Sequence, residues 1–75
     1  LPEAVFLVFP NRGLWWVDLE GRAQGPFASQ GDAIEAAVGL ARAAERSGRE
    51  ARILAPGTDR DAEVDWRDTR QRKIA

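Results

Sequence analysis

Apolar residues run almost unbroken from Ala4 to Phe9 (Ala-Val-Phe-Leu-Val-Phe), a β-branched and aromatic stretch of strand length. Pro10-Asn11-Arg12-Gly13 then interrupts it with turn-forming residues. Leu14-Trp15-Trp16-Val17-Asp18-Leu19 is a second strand, so the two predict a hairpin with a loop of about four residues. Glu20 to Pro26 contains Gly21, Gly25 and Pro26 and reads as a connecting loop.

The pattern next changes period. Ile34, Ala37, Val38, Ala41 and Ala44 recur at helical spacing on one face, with Leu40 beside them. Ser29-Gln30-Gly31-Asp32 sets a hydroxyl three residues before a carboxylate, a capping-box arrangement, and Asp32-Ala33-Ile34-Glu35 offers a competing start. Ser47-Gly48 closes the helix. Its buried face is mostly alanine, which brings the helix axis close to a sheet, so a large residue at Ala37 or Ala41 is expected to overpack the site. Glu50 to Ala55 predicts a third strand, ended by Pro56-Gly57, and the alternation of Ala62-Glu63-Val64-Asp65-Trp66 predicts a fourth with one wet face.

The expected fold class is therefore α+β: a small antiparallel sheet in ββαββ order, with one helix packed on one face. Residues 1–66 form a single domain, and 67–75, which have no apolar period, form a basic and frayed C-terminal tail. Successive side chains on a strand point to opposite faces, so Trp15 and Trp16 are divided between the two sides of the sheet. Trp15, Val17 and Leu19 make the more apolar set and belong under the helix. Trp16 and Leu14 fall on the other side, and we place Phe6 and Val8 beside them, with Leu7 and Phe9 as the alternative pair. One helix covers one face, so the second face is a candidate interface.

The order of elements resembles a family of small uncharacterised prokaryotic domains, domain of unknown function 2188. The resemblance spans most of residues 5 to 55. It rests on Phe9-Pro10, Gly13 to Val17, Phe27 followed by Ser29-x-x-Asp32-Ala33-Ile34-x-x-Ala37, then Ala41, Gly48 and the strand around Ile53-Leu54. The family closes with a tight Asp-Gly hairpin, whereas this chain has the longer Pro56-Gly57-Thr58-Asp59-Arg60-Asp61. The resemblance implies a compact α+β fold and no activity, because the family has no established biochemical role.

Composition narrows the chemistry. The 75 residues include no cysteine and no histidine, which removes disulfides, thiolate metal sites, the commonest metal ligand and the usual general base. A chain this short has a modest core and gains from a supplement such as oligomerisation. Eleven basic residues against twelve acidic ones leave a net charge of −1, so no global field recruits nucleic acid or an anionic membrane. No apolar run approaches the length of a membrane span. Glu3 and Pro10 flank a short strand-like segment, which is not a signal-peptide pattern, and a cytoplasmic location is expected. The chain opens on Leu1 in place of methionine, which suggests a processed chain or an excerpt of a longer one.

Particular motifs fail in particular ways. Asp59, Asp61, Glu63 and Asp65 begin like a calcium loop, but Val64 and Arg70 stand where glycine and a bidentate glutamate are required. Gly21, Gly25 and Gly31 match no phosphate-binding spacing, and Ser29 has no histidine to activate it. Arg42, Arg46 and Arg49 share a helical face by spacing and, with Arg67, Arg70, Arg72 and Lys73, make the only nucleic-acid candidate. Glu35, Glu45 and Glu50 dilute that surface. The reading is of a non-enzyme with no catalytic, cofactor or metal site. It is an interaction or accessory module that self-associates as a homodimer through its sheet or binds another protein, with weak nucleic-acid binding as the alternative.

Overall fold

In the computed structural model, residues 2–57, 61–64 and 66 are described. The chain is an α+β domain of one helix and a five-stranded sheet. Its elements are β1 (Ala4–Asn11), β2 (Leu14–Leu19), β3 (Arg22–Phe27), α1 (Gln30–Arg46), β4 (Ala51–Pro56) and β5 (Asp61–Glu63), with spatial order β3-β2-β1-β4-β5. β1 pairs antiparallel with β2 but parallel with β4, so the sheet is mixed rather than purely antiparallel. The helix is the reason: it carries the chain from the β3 edge back over the sheet to lay β4 alongside β1, and such a crossover joins parallel strands.

Both hairpin turns are tight. Arg12 and Gly13 have φ of 57° and 79°, Glu20 and Gly21 have 54° and 86°, and Asn11 pairs directly with Leu14 and Leu19 with Arg22. These are two-residue turns with positive φ at both centres, whose twist suits the flanking strands. The first turn is shorter than the four-residue loop expected, because Pro10 and Asn11 belong to β1. A tight turn makes Asn11 and Leu14 the hydrogen-bonded pair, so Pro10, opposite Trp15, falls at a position that exchanges no hydrogen bond with β2. On its other side the pairing of β1 with β4 stops at Leu7. The missing N–H of Pro10 therefore costs no ladder bond.

The segment read as a loop between hairpin and helix contains β3. It has no apolar alternation because it is an edge strand, exposed from Arg22 to Pro26. Pairing shifts by one residue between Trp15 and Val17, where Gly25 and Pro26 bulge opposite Trp16. Gly25 has φ of 140°, and a Cβ there would stand 3.0 Å from the Trp15 carbonyl oxygen and 3.1 Å from Trp16 Cε3. Glycine is required on both counts.

Helix α1 has the predicted start and stop. The Ser29 hydroxyl accepts a hydrogen bond from the Asp32 N–H at 3.1 Å. At the other end Gly48 N–H donates to the Glu45 carbonyl and Arg49 N–H to the Ala44 carbonyl, both at 3.0 Å, which satisfies two terminal acceptors. Ala33, Ala37, Val38 and Ala41 are buried with Ala4, Phe6 and Val8 of β1, Val17 of β2, and Ala51, Ile53 and Ala55 of β4. Trp66 belongs to the same cluster, with Val64 packed against it. The fourth predicted strand is realised as the short β5, paired with β4 through Glu63–Leu54 and Ala62–Ala55. No described helix is long and apolar enough to cross a membrane.

Candidate functional site

Helix α1 covers one side of β1, β2 and β4, and the alternation of each strand defines what lies on the other. Phe6 and Val8 are buried in the core, so they are not beside Trp16 as placed from sequence; Leu7 and Phe9 are. Register fixes this: Val8 pairs with Val17 and Phe6 with Leu19, both on the helix side, whereas Phe9 pairs with Trp16 and Leu7 with Asp18. The helix-free face thus carries Val5, Leu7 and Phe9 of β1, Leu14 and Trp16 of β2, and Leu54 of β4, which pairs with Leu7. These six apolar side chains are contiguous across three neighbouring strands.

Leu7 and Leu14 are 37% and 40% exposed, and Val5, Phe9, Trp16 and Leu54 are half-buried. The Trp16 ring lies across the Gly25 bulge, and its indole nitrogen is shielded from solvent without a hydrogen-bond partner among the described residues. Asp18, half-buried, borders the stripe beside Leu7. At one end of the face the Arg52 guanidinium pairs with Glu63 at 3.2 Å and Glu3 at 3.7 Å. The hydrogen bond to Glu63, then the charges of Glu63 and Glu3, raise the Arg52 pKa above its ordinary value. The arrangement is an apolar centre with charged side chains at one end.

The candidate cationic surface is split. Arg42 and Arg46 are exposed on α1, Arg46 in its last turn. Arg49 does not share their face: it lies past the helix end, where it donates to the Pro2 carbonyl at 2.9 Å and to Glu20 at 3.3 Å. The turn that ends the helix redirects the chain before Arg49. Arg67, Arg70, Arg72 and Lys73 lie outside the described residues, as do Asp59 and Asp65 of the acidic series. Among the described residues no group of three or more acidic side chains is placed to hold a metal ion. An open hollow of about 240 Å³ lies between Leu40 and Ala44 of α1 and Phe6 and Leu19 of the sheet, with Arg49 at its margin.

That Leu7 and Phe9 share a face with Trp16 was legible from the chain alone. Any hairpin loop with an even number of residues pairs even positions of β1 with odd positions of β2. Once Trp15 and Val17 are set under the helix, Phe6 and Val8 must follow them.

These features define a small α+β domain whose sheet has one helix-free, apolar-centred face. The chain matches no family model, no curated protein and no solved structure.

Proposed function

We propose that this domain is a non-enzymatic interaction module that associates with a second copy of itself through the helix-free face of the sheet. The observation that carries the reading is the contiguous stripe of Val5, Leu7, Phe9, Leu14, Trp16 and Leu54, with two leucines left in solvent. A domain of 75 residues has little core to spare, and burying such a stripe adds stability where no disulfide is available. The absence of cysteine and histidine from the whole chain supports a binding role over a catalytic one. Kinship with domain of unknown function 2188 belongs to the same proposal; it supports the fold and adds no activity.

The area available sets the expected strength. Strands of 8, 6, 6, 6 and 3 residues, at about 3.3 Å per residue and about 4.8 Å apart, give a footprint of roughly 460 Å² per copy. Two such footprints total about 900 Å², the size of weak and transient interfaces, so a weak, concentration-dependent dimer is expected. Light scattering over a hundredfold protein concentration range is the test. A weight-average mass rising from 8.3 kDa toward twice that value supports the proposal. A mass fixed at 8.3 kDa throughout sinks it.

A further inference from the structure

We infer that β5 and Trp66 form a detachable strap, which opens from the β4 edge as one unit while the helix and the other strands stay folded. The strap belongs to the single chain and is independent of self-association. It is held from one side only, since β5 neighbours β4 and no other described element. It is three residues long, and one of its three pairs sets Asp61 opposite Pro56, which has no N–H to offer. Its ion pair, Glu63 with Arg52, joins side chains 50% and 46% exposed, so solvent screens it and it adds little. The strong attachment is Trp66, 3% exposed within the core cluster, with Val64 packed against it. What remains after release is held without the strap: α1 packs on β1, β2 and β4 through Ala33, Ala37, Val38 and Ala41.

The backbone of β4 separates the two sets of bonds residue by residue. Ala4 N–H donates to the Glu50 carbonyl at 2.7 Å, so Arg52 and Leu54, two and four residues on, turn their backbone groups to β1. Val64 N–H donates to the Ile53 carbonyl at 2.8 Å, so Ile53 and Ala55 turn theirs to the strap, where Ala55 pairs with Ala62. Adjacent amides, Leu54 and Ala55, therefore answer to different partners. Closed, the strap keeps the β4 edge paired. Release bares the Ile53 and Ala55 backbone groups, which makes β4 an edge open to another strand. The strap is thus a guard on that edge, and Trp66 is its latch.

Native-state hydrogen exchange of the wild-type chain tests this, at dilute concentration and over a series of urea concentrations below the unfolding transition. The amides of Ala55, Ala62 and Val64 and the indole N–H of Trp66 are expected to exchange as a group. Their protection is expected to lie roughly tenfold or more below that of Arg52 and Leu54. Their urea dependence is expected to be less than about half as steep, because the strap exposes far less surface than the whole domain. A single protection and a single slope for all these groups would make the strap part of one cooperative core and overturn the inference. Weak protection at Ala55 and Ala62 with the Trp66 indole following Leu54 would overturn it too, since the edge then frays without releasing its latch.

Discussion

The alanine floor of α1 makes the sharpest prediction about the fold. Ala33, Ala37 and Ala41 have no exposed surface, and they share the core with Phe6, Val17 and Ile53, which have almost none. Ala37→Leu introduces three carbons where the helix meets the sheet, and overpacking of this kind costs about 1–3 kcal/mol. A chain of this length has a total stability of roughly 4–11 kcal/mol. In a domain of this size each kcal/mol moves Tm by about 4–8 °C, so the substitution is expected to lower Tm by roughly 4–24 °C. Gly39 lies on the same helix but faces solvent, with nothing within 4 Å of the Cβ it lacks. Gly39→Ala is therefore expected to stabilise by about 0.8–1.0 kcal/mol through helix propensity alone. Thermal unfolding followed by circular dichroism at dilute, monomeric concentration measures both. Opposite signs support the packing described; an unchanged Tm for Ala37→Leu would refute it.

Other expectations are smaller in scope. Gly25→Ala forces a φ of 140° and a clash with Trp15 and Trp16, so it is expected to cost about 1–3 kcal/mol and to change tryptophan fluorescence; a silent substitution contradicts the bulge. Ser29→Ala removes the cap on Asp32 N–H and is expected to lower stability by about 1 kcal/mol in urea titration. On the open face, a leucine 37–40% exposed retains about 0.6–1.1 kcal/mol of burial to gain per copy, so Leu7→Ala or Leu14→Ala is expected to weaken a symmetric dimer roughly 6- to 40-fold. Sedimentation equilibrium reads this directly, and an unaltered dissociation constant speaks against the face. Among the described residues Glu3, Asp18 and Glu63 outnumber Arg52 there, so association is expected to tighten up to about fivefold between low and physiological salt, because salt screens the repulsion of like charges. Nucleic-acid binding has the opposite dependence.

Much of the fold is written locally in the chain. Ser29, the alanine period and Ser47-Gly48 give the helix at both ends, because capping and periodicity act within a few residues. Trp15 and Trp16 divide between the faces for the same reason. What the chain did not disclose is non-local or edge-bound. Arg22-Ala-Gln-Gly-Pro-Phe27 is a strand by virtue of its partner β2, and an exposed edge imposes no apolar alternation. The parallel pairing of β4 with β1 is a consequence of the crossover rather than of either strand's composition. Five apolar residues in a row, Val5 to Phe9, do not show by composition which of them point inward, although an even-residue hairpin loop with Trp15 and Val17 under the helix already places Phe6 and Val8 there. Arg49 was misplaced by extending helical spacing beyond the residue that ends the helix. The face itself was anticipated through Trp16 and Leu14.

The helix-free face is where copies are proposed to meet. The most direct test is the solution mass of the wild-type chain beside Leu7→Asp, at one concentration that populates the wild-type dimer. Leu7 is already more than a third exposed, so the charged residue is tolerated in the monomer far better than at the centre of a dry interface. The prediction is a wild-type mass near twice 8.3 kDa and a variant mass near 8.3 kDa, with the circular dichroism spectrum unchanged. Equal masses for the two folded proteins would contradict it.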